Sequence, residues 1–179
     1  MKKLFTCVPA LALACLFIAP PALAKALQLS VAHTIEIDAP ADKVWEVVSD
    51  FAALDYWFPF IESSRLIFGE NRRVGCMREL RRLNGTRVEE KLIAYDPWNM
   101  TYTYTYAGGQ PLVSDYFATM SVRDLGNGKS RVEWKARFRR LAYWTDQAPA
   151  GQEDKTLIAT FNRIYSESLA HLKRMLEAR

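Results

Sequence analysis

The most regular pattern of apolar positions lies near the end of the chain, between residues 154 and 178. Apolar side chains recur there at gaps of three and four residues, which places them on one face of an α-helix. At ~1.5 Å per residue, about 25 residues make a rod about 37 Å long. The sequence therefore predicts a long C-terminal helix with one face that another element must cover. That face consists of Leu157, Phe161, Ile164, Tyr165, Leu169, Leu172, Met175 and Leu176.

Upstream of this helix the apolar positions alternate with a period of two, as in strands that bury one face. In the clearest case Val132, Trp134, Ala136 and Phe138 point inward, while charged residues point to solvent. Turn-forming residues separate the alternating runs. The predicted strands cover residues 31–37, 61–68, 76–82, 86–95, 100–107, 112–123 and 131–139.

Two short helices are predicted between the first and second strands. Pro40 suits the first turn of one helix, and an apolar face follows it. The next stretch is dense in aromatic residues, among them Trp57, Phe58 and Phe60. These side chains suit either a turn that plugs the core or the wall of an apolar site, and both interpretations stay open.

The third and fourth strands form a hairpin around Leu83, Asn84 and Gly85, for which two registers are possible. A two-residue turn would place like charges opposite each other, whereas a three-residue loop pairs Arg78 with Glu90. The second register is favoured, and it turns both charged side chains inward. Because a buried charge must be paired, the two form either a structural salt bridge or a polar anchor in a cavity. The sequence slightly favours the salt bridge.

The fifth strand alternates tyrosine with threonine, and the sixth carries Tyr116 and Met120 on one face. Both residue types of the fifth strand suit a sheet, so the pattern leaves open which of them faces inward. The candidates are Tyr102, Tyr104 and Tyr106 on one side, with Thr101, Thr103 and Thr105 on the other.

The N-terminus has the features of a secretory signal. Lys2 and Lys3 precede an apolar run over residues 4–19, and Ala22-Leu23-Ala24 resembles a cleavage site. The prediction is cleavage after Ala24, export to the periplasm and no stable membrane insertion of the mature chain. An uncleaved anchor is less favoured because the run is shorter than the ~18–20 residues of a membrane span. Lipidation at Cys15 is also less favoured. The expected parts are a signal peptide, 1–24, and one domain, 25–179.

Charge and metal-binding residues exclude several classes of function. Without Lys2 and Lys3 the formal net charge of +4 becomes +2, and basic residues are mixed with acidic ones. No nucleic-acid partner is therefore expected. Cys76 is the one cysteine of the mature chain, which also has only two histidines, so neither a disulfide nor a metal site is predicted. No cofactor motif is present.

The order of a strand, two helices, six strands and a long helix indicates an α+β fold with an antiparallel sheet. Short motifs accompany this order: residues 40–48, Trp57 with Pro59, Gly75 with Arg78, 90–92 leading to 95–97, and 132–134. Together they resemble the START-like (SRPBCC) superfamily, in particular its polyketide cyclase/dehydrase and lipid-transport family. The resemblance implies a helix-grip fold, in which a seven-stranded curved sheet wraps the C-terminal helix and leaves an apolar cavity. With the export signal, the chain is also similar to a periplasmic subgroup associated with methanol dehydrogenase.

Three functions fit these observations, and the residues favour the first. It is non-enzymatic binding or transport of a small hydrophobic ligand, such as a lipid, quinone or aromatic molecule. The second is a cyclase or dehydratase, which would need an acid and a base beside one substrate. The third is an accessory protein of a periplasmic dehydrogenase. The candidate ligand-binding residues are Trp57, Phe58, Phe60, Arg78, Glu90, Tyr102, Tyr104, Tyr116, Met120, Trp134 and Phe138.

Overall fold

The computed structural model describes residues 28–145 and 147–178. The predicted signal peptide, 1–24, and its cleavage site lie outside the described residues. Seven strands and two α-helices are described, together with a single 3-10 turn at Leu54–Tyr56. They are β1 Leu29–Ile37, α1 Ala41–Val48, β2 Ile61–Phe68, β3 Met77–Arg82, β4 Arg87–Asp96, β5 Thr101–Gly109, β6 Val113–Gly126, β7 Lys129–Arg140 and α2 Asp154–Glu177.

The strands form one sheet in the order β1-β7-β6-β5-β4-β3-β2, and every neighbouring pair is antiparallel. Hairpins link β2 through β7 in sequence, and the last strand, β7, pairs with the first strand, β1, at one edge of the sheet. The curved sheet grips α2, which confirms the predicted helix-grip fold. Of the described helices none is long and apolar enough to cross a membrane.

The second of the two predicted short helices is only the 3-10 turn at Leu54–Tyr56. Pro59 explains the early stop, because a proline disfavours helical backbone at the residue before it. The turn is closed by backbone bonds from Trp57 N to Leu54 O at 3.2 Å and from Phe58 N to Leu54 O at 3.0 Å. This short turn brings the aromatic residues under the sheet.

The predicted inward faces are the buried ones. On α2 the buried apolar side chains include Phe161, Tyr165 and Leu172, and Ile164 and Met175 pack at the margin. On β7 the four residues predicted to point inward are all buried. Cys76 is buried as a free thiol. The core therefore lies between one face of the sheet and one face of α2.

The β3–β4 hairpin adopts the favoured register, with Arg78 opposite Glu90 and Leu80 opposite Val88. The strands close through a bond from Arg82 N to Thr86 O at 2.8 Å. Gly85 takes φ +80°, a left-handed conformation that other L-residues adopt at a cost. The three-residue loop with a glycine in this conformation is thus confirmed.

Two glycines at the same end of the sheet allow a matched test of backbone constraint. Gly85 and Gly109 have φ +80° and +79°, but only at Gly109 would an added Cβ meet backbone, 2.5 Å from the Arg87 carbonyl oxygen. Gly85→Ala should lower the free energy of unfolding by about 1 kcal/mol through strain alone. Gly109→Ala should cost roughly 2 kcal/mol more because β4 must move. Urea unfolding measures both values, and equal losses would show that the close approach is not constraining.

Candidate functional site

A cavity of about 340 Å³ lies between the sheet and α2. Its walls come from all strands except β1, from the turn after α1 and the hairpin loops, and from the N-terminal half of α2. Most of the lining is apolar or aromatic, as in small-molecule sites. The side chains that line it are Leu54, Phe58, Phe60, Ile61, Leu80, Arg82, Leu83, Asn84, Val88, Glu90, Tyr104, Tyr106, Leu112, Tyr116, Trp134, Thr160, Phe161, Arg163, Ile164 and Tyr165.

Six of the predicted site residues line this cavity, and five do not. The five lie in the packed core around it, and Arg78 lies behind two lining residues, Glu90 and Tyr104. Binding of a ligand by any of the eleven stays a prediction. The six are Phe58, Phe60, Glu90, Tyr104, Tyr116 and Trp134, and the five are Trp57, Arg78, Tyr102, Met120 and Phe138.

Aromatic packing fills the other part of the space between sheet and helix. Trp134 of β7 stacks on Tyr165 of α2, with ring centroids 3.9 Å apart and planes inclined by 9°. Phe138 lies 4.5 Å from Phe161, and Trp57 meets the edge of Trp134 at 5.7 Å. These rings fill the space directly between β7 and α2, and the cavity lies on their other side, toward β3, β4 and β5.

A buried ion pair forms the floor of the site. Arg78 Nε donates a 2.8 Å hydrogen bond to Glu90 Oε2, and Nη1 donates one of 2.8 Å to the Phe51 carbonyl oxygen. Nη2 lies 2.6 Å from the same carboxylate oxygen but lacks hydrogen-bond geometry. The guanidinium also lies over the Phe51 ring at 4.0 Å. The predicted pairing is confirmed. Glu90 lines the cavity while Arg78 lies behind it, and a role of the pair as a polar anchor for a ligand stays a prediction.

Burial sets the electrostatics of this floor. It raises the pKa of the Glu90 carboxyl, and the neighbouring Arg78 guanidinium opposes that rise. Arg78 contacts Oε2 of Glu90 and Arg82 adds a weaker attraction, so the positive charges near this carboxylate are already matched by it. A second negative charge placed beside Glu90 would therefore be unfavourable.

Four buried polar groups in the cavity wall form one hydrogen-bonded chain. Trp134 Nε1 donates to the Tyr104 hydroxyl at 3.2 Å. That hydroxyl lies 3.3 Å from the hydroxyl of Tyr116, which lies 2.6 Å from that of Tyr165. Burial raises the pKa values of the three phenols far above their usual range, so they remain protonated donors.

The mouth of the cavity lies at the end of the sheet that carries the β3–β4 and β5–β6 hairpins. Leu83 and Leu112 are exposed there at the two hairpin tips. Arg82 is fixed by hydrogen bonds to Thr86 Oγ1 at 3.1 Å and to the Gln110 carbonyl at 2.8 Å. The mouth is thus apolar with a cationic rim.

Sequence reasoning missed several lining residues that carried a usable signal. Tyr106 continues the alternation of Tyr102 and Tyr104, for which the sequence pattern allows either face, and the structure turns these tyrosines inward. Phe161 and Tyr165 belong to the helix face that the pattern identified. The hairpin tips carried no such signal because loop positions have no periodicity.

The site offers limited catalytic chemistry. Glu90 is the only carboxylate in the lining of this cavity, and it is engaged by Arg78. Among the described residues no group of three or more His, Cys, Asp or Glu is placed to hold a metal. The arrangement suits recognition of a molecule better than proton transfer to it.

Residues 28–177 match the family described as polyketide cyclase / dehydrase and lipid transport. The chain belongs to this family. Among curated proteins it is similar to the abscisic acid receptor PYL6 of Arabidopsis thaliana, with 23% identity over 145 residues. That match covers 79% of this chain and 66%, just under two thirds, of the receptor.

Solved structures with this START-like fold superpose well on this protein. A protein from Bacillus thuringiensis has a TM-score of 0.70 and 25% identity, and the match covers 83% of this chain and 98% of that one. The protein XoxI from Bacillus cereus has a TM-score of 0.69 and 26% identity, with 82% and 94% covered. Family membership agrees with a cavity between sheet and helix.

The buried pair makes a test of its structural role possible. Removing one partner, as in Arg78→Met or Glu90→Leu, should lower the free energy of unfolding by about 3–5 kcal/mol because the other charge is left buried alone. The double variant Arg78→Met/Glu90→Leu should lose less than the sum of the single losses. A double-mutant cycle by urea unfolding checks this, and additive losses would contradict a coupled pair.

Proposed function

We propose that the protein binds a small hydrophobic molecule in the cavity between the sheet and α2, after export to the periplasm. The observation that carries this proposal is the volume of about 340 Å³, bounded largely by aliphatic and aromatic side chains. Close packing is the rule in protein interiors, so a space of this size within a family that includes lipid-transport proteins supports ligand binding.

The volume also limits the ligand. It lies at the lower end of the roughly 300–1,000 Å³ range of small-molecule sites. A compact ring system or one short chain fits this size, whereas a lipid with two long chains does not. Of the three ligand classes considered, a quinone or another aromatic-sized molecule is therefore favoured.

The relative in Arabidopsis thaliana supports the same interpretation. It is named as a receptor for abscisic acid, so a similar chain serves in recognition of a small molecule there. Since this chain spans 66% of that receptor, the ligand and signalling role of the receptor are not transferred. The shared element is the use of the fold as a binding domain.

The other two functions gain less support. An enzyme would need Glu90 as acid or base, and Arg78 occupies its carboxylate. An accessory role at a periplasmic dehydrogenase would use the charged outer face of β7, yet much of that face is paired within the chain. Arg131 pairs with Glu36 at 2.6 Å, and Lys135 with Glu133 at 2.7 Å. The cavity is the stronger candidate.

Native mass spectrometry of protein purified from the periplasm of its own host tests the proposal directly. We expect a bound species of low mass that is released on denaturation and that raises the melting temperature when added back. Protein purified with an empty cavity from every growth condition would contradict the proposal. The mass of the intact chain reports cleavage after Ala24 in the same experiment.

A cavity-filling variant tests the location of binding. Ile164→Trp should place an indole in the cavity and weaken binding of 2-acetonaphthone, a compact apolar ketone, at least about ten-fold. The matched control is Ala159→Trp on the exposed side of the same helix, which should stay within about two-fold of wild type. Isothermal titration calorimetry gives both values. Equal binding by Ile164→Trp and wild type would place the site elsewhere.

A further inference from the structure

The hydrogen-bonded chain in the cavity wall has one more polar hydrogen than it has hydrogen bonds between its members. Its members supply four polar hydrogens, one from the indole of Trp134 and one from each of the hydroxyls of Tyr104, Tyr116 and Tyr165. These groups make three hydrogen bonds with one another. One hydroxyl hydrogen is therefore left over whichever way the hydroxyls turn.

The direction of the chain decides where that hydrogen lies. The indole N–H of Trp134 can only donate, so the chain starts there and Tyr104 accepts. Hydrogen bonds that run in one direction polarise one another, which favours donation from Tyr104 to Tyr116 and from Tyr116 to Tyr165. The remaining hydrogen is then on Tyr165, whose side chain is about 1% exposed and lines the cavity.

A buried donor with no acceptor is costly, because it loses the hydrogen bond that water would have given it. A molecule in the cavity can remove this cost by offering an acceptor oxygen to the remaining hydroxyl hydrogen. We propose that Tyr165 is a donor subsite that selects ligands with an uncharged acceptor oxygen, such as the carbonyl of a cyclic ketone or a quinone. This inference rests on the proposed function and names the class of ligand.

Two observations favour a carbonyl over a carboxylate at this position. Glu90 shares the same cavity, and its field acts on Tyr104, Tyr116 and Tyr165, so a second anion at the inner end would be repelled. The two guanidinium groups in the lining, those of Arg82 and Arg163, are engaged elsewhere. Arg82 donates to Thr86 and Gln110 at the mouth, and Arg163 lies over the Phe60 ring and 3.7 Å from Glu167. The aromatic walls suit a flat ring that carries the carbonyl.

A matched pair of probes tests the assignment. 2-Acetonaphthone and 2-ethylnaphthalene have nearly the same shape, but only the ketone carries an acceptor. Wild type should bind the ketone about ten-fold more tightly by calorimetry, in line with one buried hydrogen bond. Tyr165→Phe should reduce that ratio to about two-fold and leave the affinity for the hydrocarbon nearly unchanged. Tyr95→Phe, which removes a hydroxyl outside the cavity, should keep the wild-type ratio.

Infrared spectra of the bound ketone, labelled with ¹³C at the carbonyl, give a readout that altered packing does not mimic. The C=O stretch should lie at lower frequency in wild type than in alkane solvent, and it should return toward the solvent value in Tyr165→Phe. Equal affinity of wild type for both probes would overturn the donor subsite while leaving the proposed function intact. Loss of the preference in Tyr104→Phe but not in Tyr165→Phe would overturn the assignment to Tyr165. Failure of wild type to bind either probe would count against the proposed function itself.

Discussion

The stack of Trp134 on Tyr165 is the contact on which the arrangement of the interior depends. With ring centroids 3.9 Å apart and planes nearly parallel, it sets the distance between β7 and α2 and leaves no room for a ligand there. Phe138 and Phe161 extend the contact along the same strand and helix. Because α2 packs against β1 and β7 at one edge of a curved sheet, it cannot also touch the far strands, and space remains on the side of β3 to β5. The position of the cavity is therefore set by the strands against which α2 packs.

The buried ion pair positions the opposite wall. Arg78 joins three elements, because it binds Glu90 on β4, lies on β3 itself and donates to the Phe51 carbonyl in the turn after α1. That turn carries Phe58 and Phe60 to the cavity. Replacing such a pair with apolar residues of similar size is often neutral for stability. The contribution of this ion pair is therefore to position the elements that it joins. It holds the aromatic turn at a defined distance from the sheet and presents a carboxylate edge to the site.

The sequence was sufficient to predict which face of each strand and helix is buried. It was not sufficient to predict which of the buried side chains lie at the cavity and which pack against α2. Alternation predicted correctly that Met120, Trp134 and Phe138 point inward, and the charge pattern predicted the pairing of Arg78 with Glu90. The same alternation cannot tell Trp134, which lines the cavity, from Phe138, which packs on Phe161. That difference depends on where α2 crosses the sheet, and no local pattern encodes the crossing. The hydroxyl chain is likewise invisible in sequence, since its members come from three strands and a helix.

The choice of tyrosine, rather than phenylalanine, around this space has a physical consequence. Phenylalanine rings at Tyr104, Tyr116 and Tyr165 would bury similar apolar area, but nothing would stop them from rotating into the void to improve packing. Hydroxyls linked at 2.6 and 3.3 Å tie each ring to the next, and the indole of Trp134 ties the chain to the stack that fixes α2. Collapse would break these buried bonds without water to replace them. The network that defines the polarity of the cavity therefore also keeps it open, so ligand selectivity and the shape of the site have one common origin.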